Sequence, residues 1–274
     1  MIKRHPLVAY FAMTFLISWM GALAVAAPQL IRHHPLPTAT GILMFPVMLL
    51  GPSLAGVVLT MIMDGNRGLR TLFRQMLRPQ VPLRWYAALL IPPVLVPSVL
   101  LFLQRFISPV YAPNHFFIGV LFGVPAGFLE EIGWMGYAFP KMGSPPDRLG
   151  ASILLGLMWA FWHLPVVNFL GTATPHGVFW LPFFFAFGMA MTAMRVLIAW
   201  IYVNTNSVLL AQLMHVSSTG SLVVFSAPHV TAAQEVLWYA FYGAALWVAA
   251  GIVVKTCGRG LRRAGYRQVA GLSH

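Results

Sequence analysis

The sequence predicts an all-α, polytopic membrane helix bundle of about eight transmembrane helices with both termini cytoplasmic. Three observations predict it. Of 274 residues, 59% are hydrophobic and only 8% charged, against roughly 25% charged in an ordinary soluble domain. The apolar residues gather in runs long enough to cross a bilayer, for which about 20 residues suffice. The Lys and Arg residues fall on alternate connections, which is the asymmetry that orients membrane proteins.

The apolar runs lie near 7–27, 41–63, 85–104, 115–139, 149–169, 178–201, 206–226 and 234–254. With the N-terminus inside, every basic residue except Arg32 and Arg105 falls on the inner side or at an inner helix end. The inner set comprises Lys3, Arg4, the connection from Arg67 through Arg70, Arg74 and Arg78 to Arg84, then Lys141, Arg148, Arg195, Lys255, Arg259, Arg262, Arg263 and Arg267. The chain's formal charge of +12, concentrated on that side, is expected to face anionic lipid headgroups, and no nucleic-acid partner is implied. The first run is longer than the apolar region of a cleaved leader and is read as a retained anchor. One cysteine, Cys257, excludes a disulfide framework. No repeat or low-complexity linker divides the chain, so residues 1–274 are read as one transmembrane domain with a core over 115–226.

The chemistry lies in FLEEIGWMGYAFP, residues 128–140. The chain has five acidic residues, and two of them, Glu130 and Glu131, are adjacent inside an apolar run. A charged residue near the bilayer centre costs roughly 2.5–3.5 kcal/mol on insertion scales, so such residues face the bundle interior and mark a functional site or a structural ion pair. Two other runs carry polar residues at depth. WAFWHLP places His163 four residues after Trp159, on one helix face. QLMHVSST places Gln212, His215, Ser218 and Thr219 on another. At about 1.5 Å of rise per residue, Glu130 and His215 both lie about 14 Å from the inner helix ends and His163 about 21 Å, so the three can meet on one level. A Glu beside a His in a water-poor cavity can deprotonate a water, and a second His with a hydroxyl neighbour can donate to a developing oxyanion. Glu130, His163 and His215 are equally the donor set of a hydrolytic zinc. A proton relay or transporter uses the same residue types, although no pair of broken helices in inverted repeats is visible. His33, His34, His115, His176 and His229 are expected in solvated outer loops or at helix ends.

These stretches resemble the CPBP intramembrane endopeptidases, which include the type II CAAX prenyl proteases and the Abi, bacteriocin-immunity type proteins. The family motifs are EExxxR, an aromatic followed four residues later by His, and His followed four residues later by Asn or Asp. Here they read Glu130-Glu131-Ile-Gly-Trp-Met135, Trp159 to His163, and His215 to Thr219. GPSLAG at 51–56 and RWYAALLIP at 84–92 also look like the family, so the resemblance covers about 50–225. It implies a glutamate-dependent protease without a resident cofactor, acting on a membrane-associated or lipidated peptide or protein, in a bacterial inner (plasma) membrane. Glu130 would be the general base, His163 its assistant and His215 the oxyanion stabiliser, with Glu131, Trp159 and Thr219 in support. Two positions depart from the pattern. Met135 stands where the family has Arg, so Glu131 either carries a proton or takes another cation, and Arg195 is the candidate. Thr219 replaces Asn or Asp. A family member without catalysis, serving as a membrane scaffold or immunity protein, is the alternative these departures motivate.

Overall fold

The computed structural model describes residues 2–34, 38–142, 147–169, 176–227 and 229–261. The described residues form helices and connections with no strand. Helix α1 (Pro6–Ile31) starts on a proline, whose fixed φ and missing N–H suit a first helical position. Its buried residues, Tyr10, Thr14, Ser18, Ala22 and Ala26, recur every four positions and form one stripe against α2 (Thr38–Met76). Val8, Leu16 and Met20 on other faces are exposed, as expected of side chains that meet lipid.

Helix α2 extends well past position 63, where its apolar run ends. Gly65, at φ +60°, breaks its regular geometry in a conformation that glycine adopts without steric penalty. The segment beyond carries Arg67, Arg70 and Arg74, all exposed. Its end is tied to the bundle by Gln75 Nε2 donating to Asn206 Oδ1 (2.9 Å) and by Ser207 Oγ donating to the Arg78 carbonyl (2.8 Å). Arg262, Arg263 and Arg267 lie outside the described residues.

Next come α3 (Arg84–Phe106), α4 (Phe117–Met142), α5 (Arg148–Trp162), α6 (Leu164–Phe169), α7 (Trp180–Thr205), α8 (Val208–Phe225) and α9 (Ala232–Cys257). Three of them begin on the side-chain caps that orphan N–H groups require: Asp147 for α5, Ser207 for α8, and Thr231 with Gln234 as a capping box for α9. Among the described residues, seven helices are long and apolar enough to cross a membrane. The eighth expected run, 149–169, departs from one continuous span. It is divided at His163 into α5, of 15 residues, and α6, of 6. Pro165 supplies the reason, because it has no N–H to donate and biases Leu164 away from helical geometry.

Helix α7 is apolar all round, the pattern of a helix enclosed by others. Ala190, Ala193, Met194, Val196, Leu197, Ile198, Ala199 and Ile201 are all fully buried, between α5, α8 and α9. Helices α4 and α8 form the most extensive pairing. Gly123 and Gly127 explain it: a Cβ on either would fall 2.6 Å from the Val216 carbonyl oxygen or 2.5 Å from that of Gln212. This small-xxx-small face lets the two backbones touch and sets His215 beside the glutamate pair.

Candidate active site

Helix α4 changes pitch where the chemistry sits. It is α-helical over Val120–Gly133, becomes a π-helix over Trp134–Ala138 and returns to α-helix at Phe139–Met142. Such π segments are rare and recur at functional sites. Glu130 and Glu131 lie in the last α-turn before it, with 1% and 0% exposure.

The two carboxylates are held differently. One oxygen of Glu130, Oε2, accepts two indole N–H groups, from Trp159 (2.7 Å) and from Trp134 (3.2 Å), the latter four residues along the same helix. Its other oxygen, Oε1, lies 4.0 Å from His215 Nε2, too far for a hydrogen bond. Glu131 is engaged on both oxygens. Arg195 Nη1 donates to Oε1 (2.8 Å) and Oε2 (2.7 Å), and His215 Nδ1 contacts Oε1 at 2.7 Å. A carboxylate only accepts, so the proton of that last bond belongs to the imidazole. His215 therefore turns Nδ1–H to Glu131 and Nε2 towards Glu130.

Trp159 joins these groups. Besides its hydrogen bond to Glu130, its ring centroid is 5.1 Å from that of His215 and 5.2 Å from that of His163. The Arg195 guanidinium carbon stands 4.1 Å over the same ring, a cation–π contact that suits a planar guanidinium. His163, half-buried, caps α5. Its Nδ1 is 2.7 Å from the Trp159 carbonyl oxygen, which only accepts, so His163 carries Nδ1–H and its Nε2 keeps a lone pair. Trp162 and Phe187 meet the His163 ring edge to face, at 4.8 and 5.6 Å.

Thus Glu130, Glu131, Trp159 and His215 lie in mutual contact, and His163 adjoins them through the Trp159 ring. Thr219 lies one turn beyond His215 and faces elsewhere. It lines an apolar slot of about 250 Å³ with Ile42, Phe45, Phe122, Val166 and Val223. Met135 is fully buried, and the cation beside Glu131 is Arg195 of α7. Sequence reasoning missed Trp134 as a ligand of Glu130, although its spacing of four residues on one helix was available. It also placed His176 in a solvated loop, and that reading is corrected here: His176 is 7% exposed, stacked on Phe183 at 3.9 Å and 3.0 Å from Glu235 Oε2. His33, His34, His115 and His229 are exposed. Among the described residues, no three His, Cys, Asp or Glu side chains are grouped as a metal would need.

Residues 112–221 match the family model described as type II CAAX prenyl endopeptidase Rce1-like. The chain is also similar to a CAAX prenyl protease 2 of Methanococcus maripaludis, 31% identical over 138 residues, which is 46% of this chain and 51% of that protein. The match therefore spans about half the length of that curated relative. The Rce1-like segment contains Glu130, Glu131, Trp159, His163, Arg195, His215 and Thr219, so the part of the chain that is similar to the CAAX prenyl endopeptidases is the part that builds this cluster.

Proposed function

We propose that the protein is an intramembrane endopeptidase in which Glu130 activates water against a peptide bond of a membrane-associated or lipidated (CAAX-type) protein or peptide. The observation that carries this reading is the asymmetry of the Glu130 carboxylate, with Oε2 fixed by two indoles and Oε1 without a hydrogen bond among the described residues. A general base needs that arrangement: an oriented carboxylate with one free lone-pair edge.

In this mechanism water bound at Glu130 Oε1 attacks the scissile carbonyl carbon and gives its proton to that oxygen. The Nε2 lone pair of His163 orients the same water. The carbonyl oxygen becomes an oxyanion, and Nε2–H of His215 stabilises it. Because Nδ1–H of His215 is already committed to Glu131, an Nε2–H as well makes the ring an imidazolium. Glu131 supports that charge, as a buried carboxylate orients and supports the histidine of a hydrolytic triad. Collapse of the intermediate breaks the C–N bond, and the proton held by Glu130 passes to the leaving amine. The zinc alternative would need Glu130, His163 and His215 as ligands, and among the described residues these three are not grouped as a metal requires.

The second reading is a family member without catalysis, a membrane scaffold or immunity protein. The near-complete burial of Glu130 favours it, since a substrate must reach that group. Peptide cleavage in liposomes separates the readings, using wild type and Glu130→Gln on prenylated and unprenylated peptides, with and without chelator. Cleavage that is lost in Glu130→Gln and survives chelator supports the glutamate mechanism. No cleavage by folded wild type supports the scaffold.

The basic end of the bundle is proposed to face the cytoplasm and its anionic headgroups, which places both termini there.

A further inference from the structure

Helix α1 lies outside the segment that matches the family, yet its buried stripe is polar for three successive turns. Tyr10, Thr14 and Ser18 are each 0% exposed. Polar groups in a membrane bundle are costly unless they are paired; among the described residues the Tyr10 and Thr14 hydroxyls have no hydrogen-bond partner, and the paired member of the stripe is Ser18. Ser18 Oγ accepts the Trp162 indole N–H (2.8 Å) and donates to the Met48 carbonyl of α2 (2.6 Å). On the next residue, Trp19 Nε1–H donates to the Trp162 backbone carbonyl (3.1 Å). Trp162 is thereby held at both its side chain and its backbone by two consecutive residues of α1.

Trp162 is the last residue of α5, and His163 follows it. The last carbonyls of a helix have no intrahelical partner. At this end one of them is satisfied by an indole from another helix, which fixes the direction in which the chain leaves α5. The Trp162 ring then meets the His163 ring at 4.8 Å and 83°. On its other side it meets Trp134, at 6.0 Å and 79°, and Trp134 donates to Glu130. Tyr10 supports the same Trp134 ring from α1, at 5.6 Å and 82°.

We infer that Ser18 and Trp19 of α1 are positioning residues of the active site, which set the orientation of His163 through a two-point clamp on Trp162. The inference rests on the proposed hydrolytic role of His163 for its effect on rate, but not for its effect on the imidazole. Removing the clamp frees the ring that orients the water. A displacement of about 1 Å at such a group costs up to about a hundredfold in rate.

The test uses the full chain in liposomes or detergent. Ser18→Ala and Trp19→Phe each remove one arm, and Trp162→Phe removes the indole that Ser18 holds. Tyr111→Phe is the control, since it deletes one partly buried hydrogen bond to the Gln234 carbonyl (3.0 Å) outside the site. The expected result is a tenfold or greater fall in kcat with unchanged KM for Ser18→Ala and Trp19→Phe, and less than a twofold change for Tyr111→Phe. Ser18→Ala should have little further effect in a Trp162→Phe background. Independently of activity, the ¹⁵N imidazole signals of His163, assigned with His163→Gln, should shift in both clamp variants and stay unmoved in Tyr111→Phe. Unmoved His163 signals in Ser18→Ala and Trp19→Phe overturn the inference, as does a kcat loss no larger than the control's. If wild type does not cleave, the proposed function fails, while the imidazole signals still decide the clamp. If Ser18→Ala does not fold, Trp19→Phe, which alters a half-buried position, carries the test.

Discussion

A single guanidinium nitrogen of Arg195 contacts both carboxylate oxygens of Glu131, at 2.7 and 2.8 Å, from a residue 64 positions further along the chain. In the family that the sequence resembles, an arginine stands at the position of Met135, four residues after Glu131 on the same helix. Here its charge comes from α7, and the methionine at 135 is packed in the interior.

Removing that cation is therefore expected to be severe. Arg195→Met should lower stability by about 3–5 kcal/mol, because it leaves a buried carboxylate without its ion pair. Met135→Arg alone should also destabilise, since Glu131 already has a cation. The pair Arg195→Met with Met135→Arg should recover part of the loss by restoring an i, i+4 contact. Thermal unfolding in detergent reads all three. A double variant no more stable than Arg195→Met shows that position 135, inside the π-helix, does not point at Glu131.

Glu130→Gln should fold and not cleave. Glutamine keeps a carbonyl oxygen for the two indole donors but no base, so a loss of about 10²–10⁴-fold in kcat is expected. Chelator should leave wild-type cleavage unchanged. Inhibition by chelator that added zinc reverses would transfer the mechanism to a metal.

The two indoles on Glu130 should differ in weight. Trp159 makes the shorter bond, 2.7 Å against 3.2 Å, and also carries the Arg195 guanidinium over its ring. Trp159→Phe should therefore reduce kcat more than Trp134→Phe and destabilise the fold further. Equal effects in cleavage assays and unfolding midpoints would contradict this ranking.

Thr219→Val removes a hydroxyl that makes no hydrogen bond among the described contacts and lines an apolar slot. Its unfolding midpoint should stay within the range of a neutral change. If the hydroxyl donates to the oxyanion in the transition state, kcat should fall roughly 10²–10³-fold at the same stability. Unchanged kcat would remove Thr219 from the site.

Much of this arrangement was legible in the sequence. Buried Glu and His residues in apolar runs are conspicuous because each is costly there, so Glu130, Glu131, His163 and His215 could be read directly. Arg195 could be named by elimination, as the candidate cation within a run. The break of the fifth span at His163 was obscured because apolar residues continue on both sides of Pro165. The π-helix after Glu131 was hidden because its sequence, WMGYA, carries no local signature of pitch. Trp134 and Trp162 carry no sequence signal of their roles, since an indole's N–H is visible to chemistry and invisible to hydropathy. Ser18 is one hydroxyl in a long apolar helix, and only its partner 144 residues away gives it a role.

The distance along the chain between Glu131 and Arg195 also has a bearing on biosynthesis. Chains emerge and insert from the N-terminus, at about 5–20 residues per second. An arginine at 135 would have entered the bilayer with its carboxylate, as a neutral couple on one helix. In this protein α4 must be handed to the membrane while the partner of Glu131 is still several seconds from being made. The glutamate pair cannot take its final state until α7 has arrived and been threaded between its neighbours. The carboxylate cluster is thus completed late in assembly, and a nascent chain stalled before α7 would hold both glutamates without the cation that Glu131 pairs with.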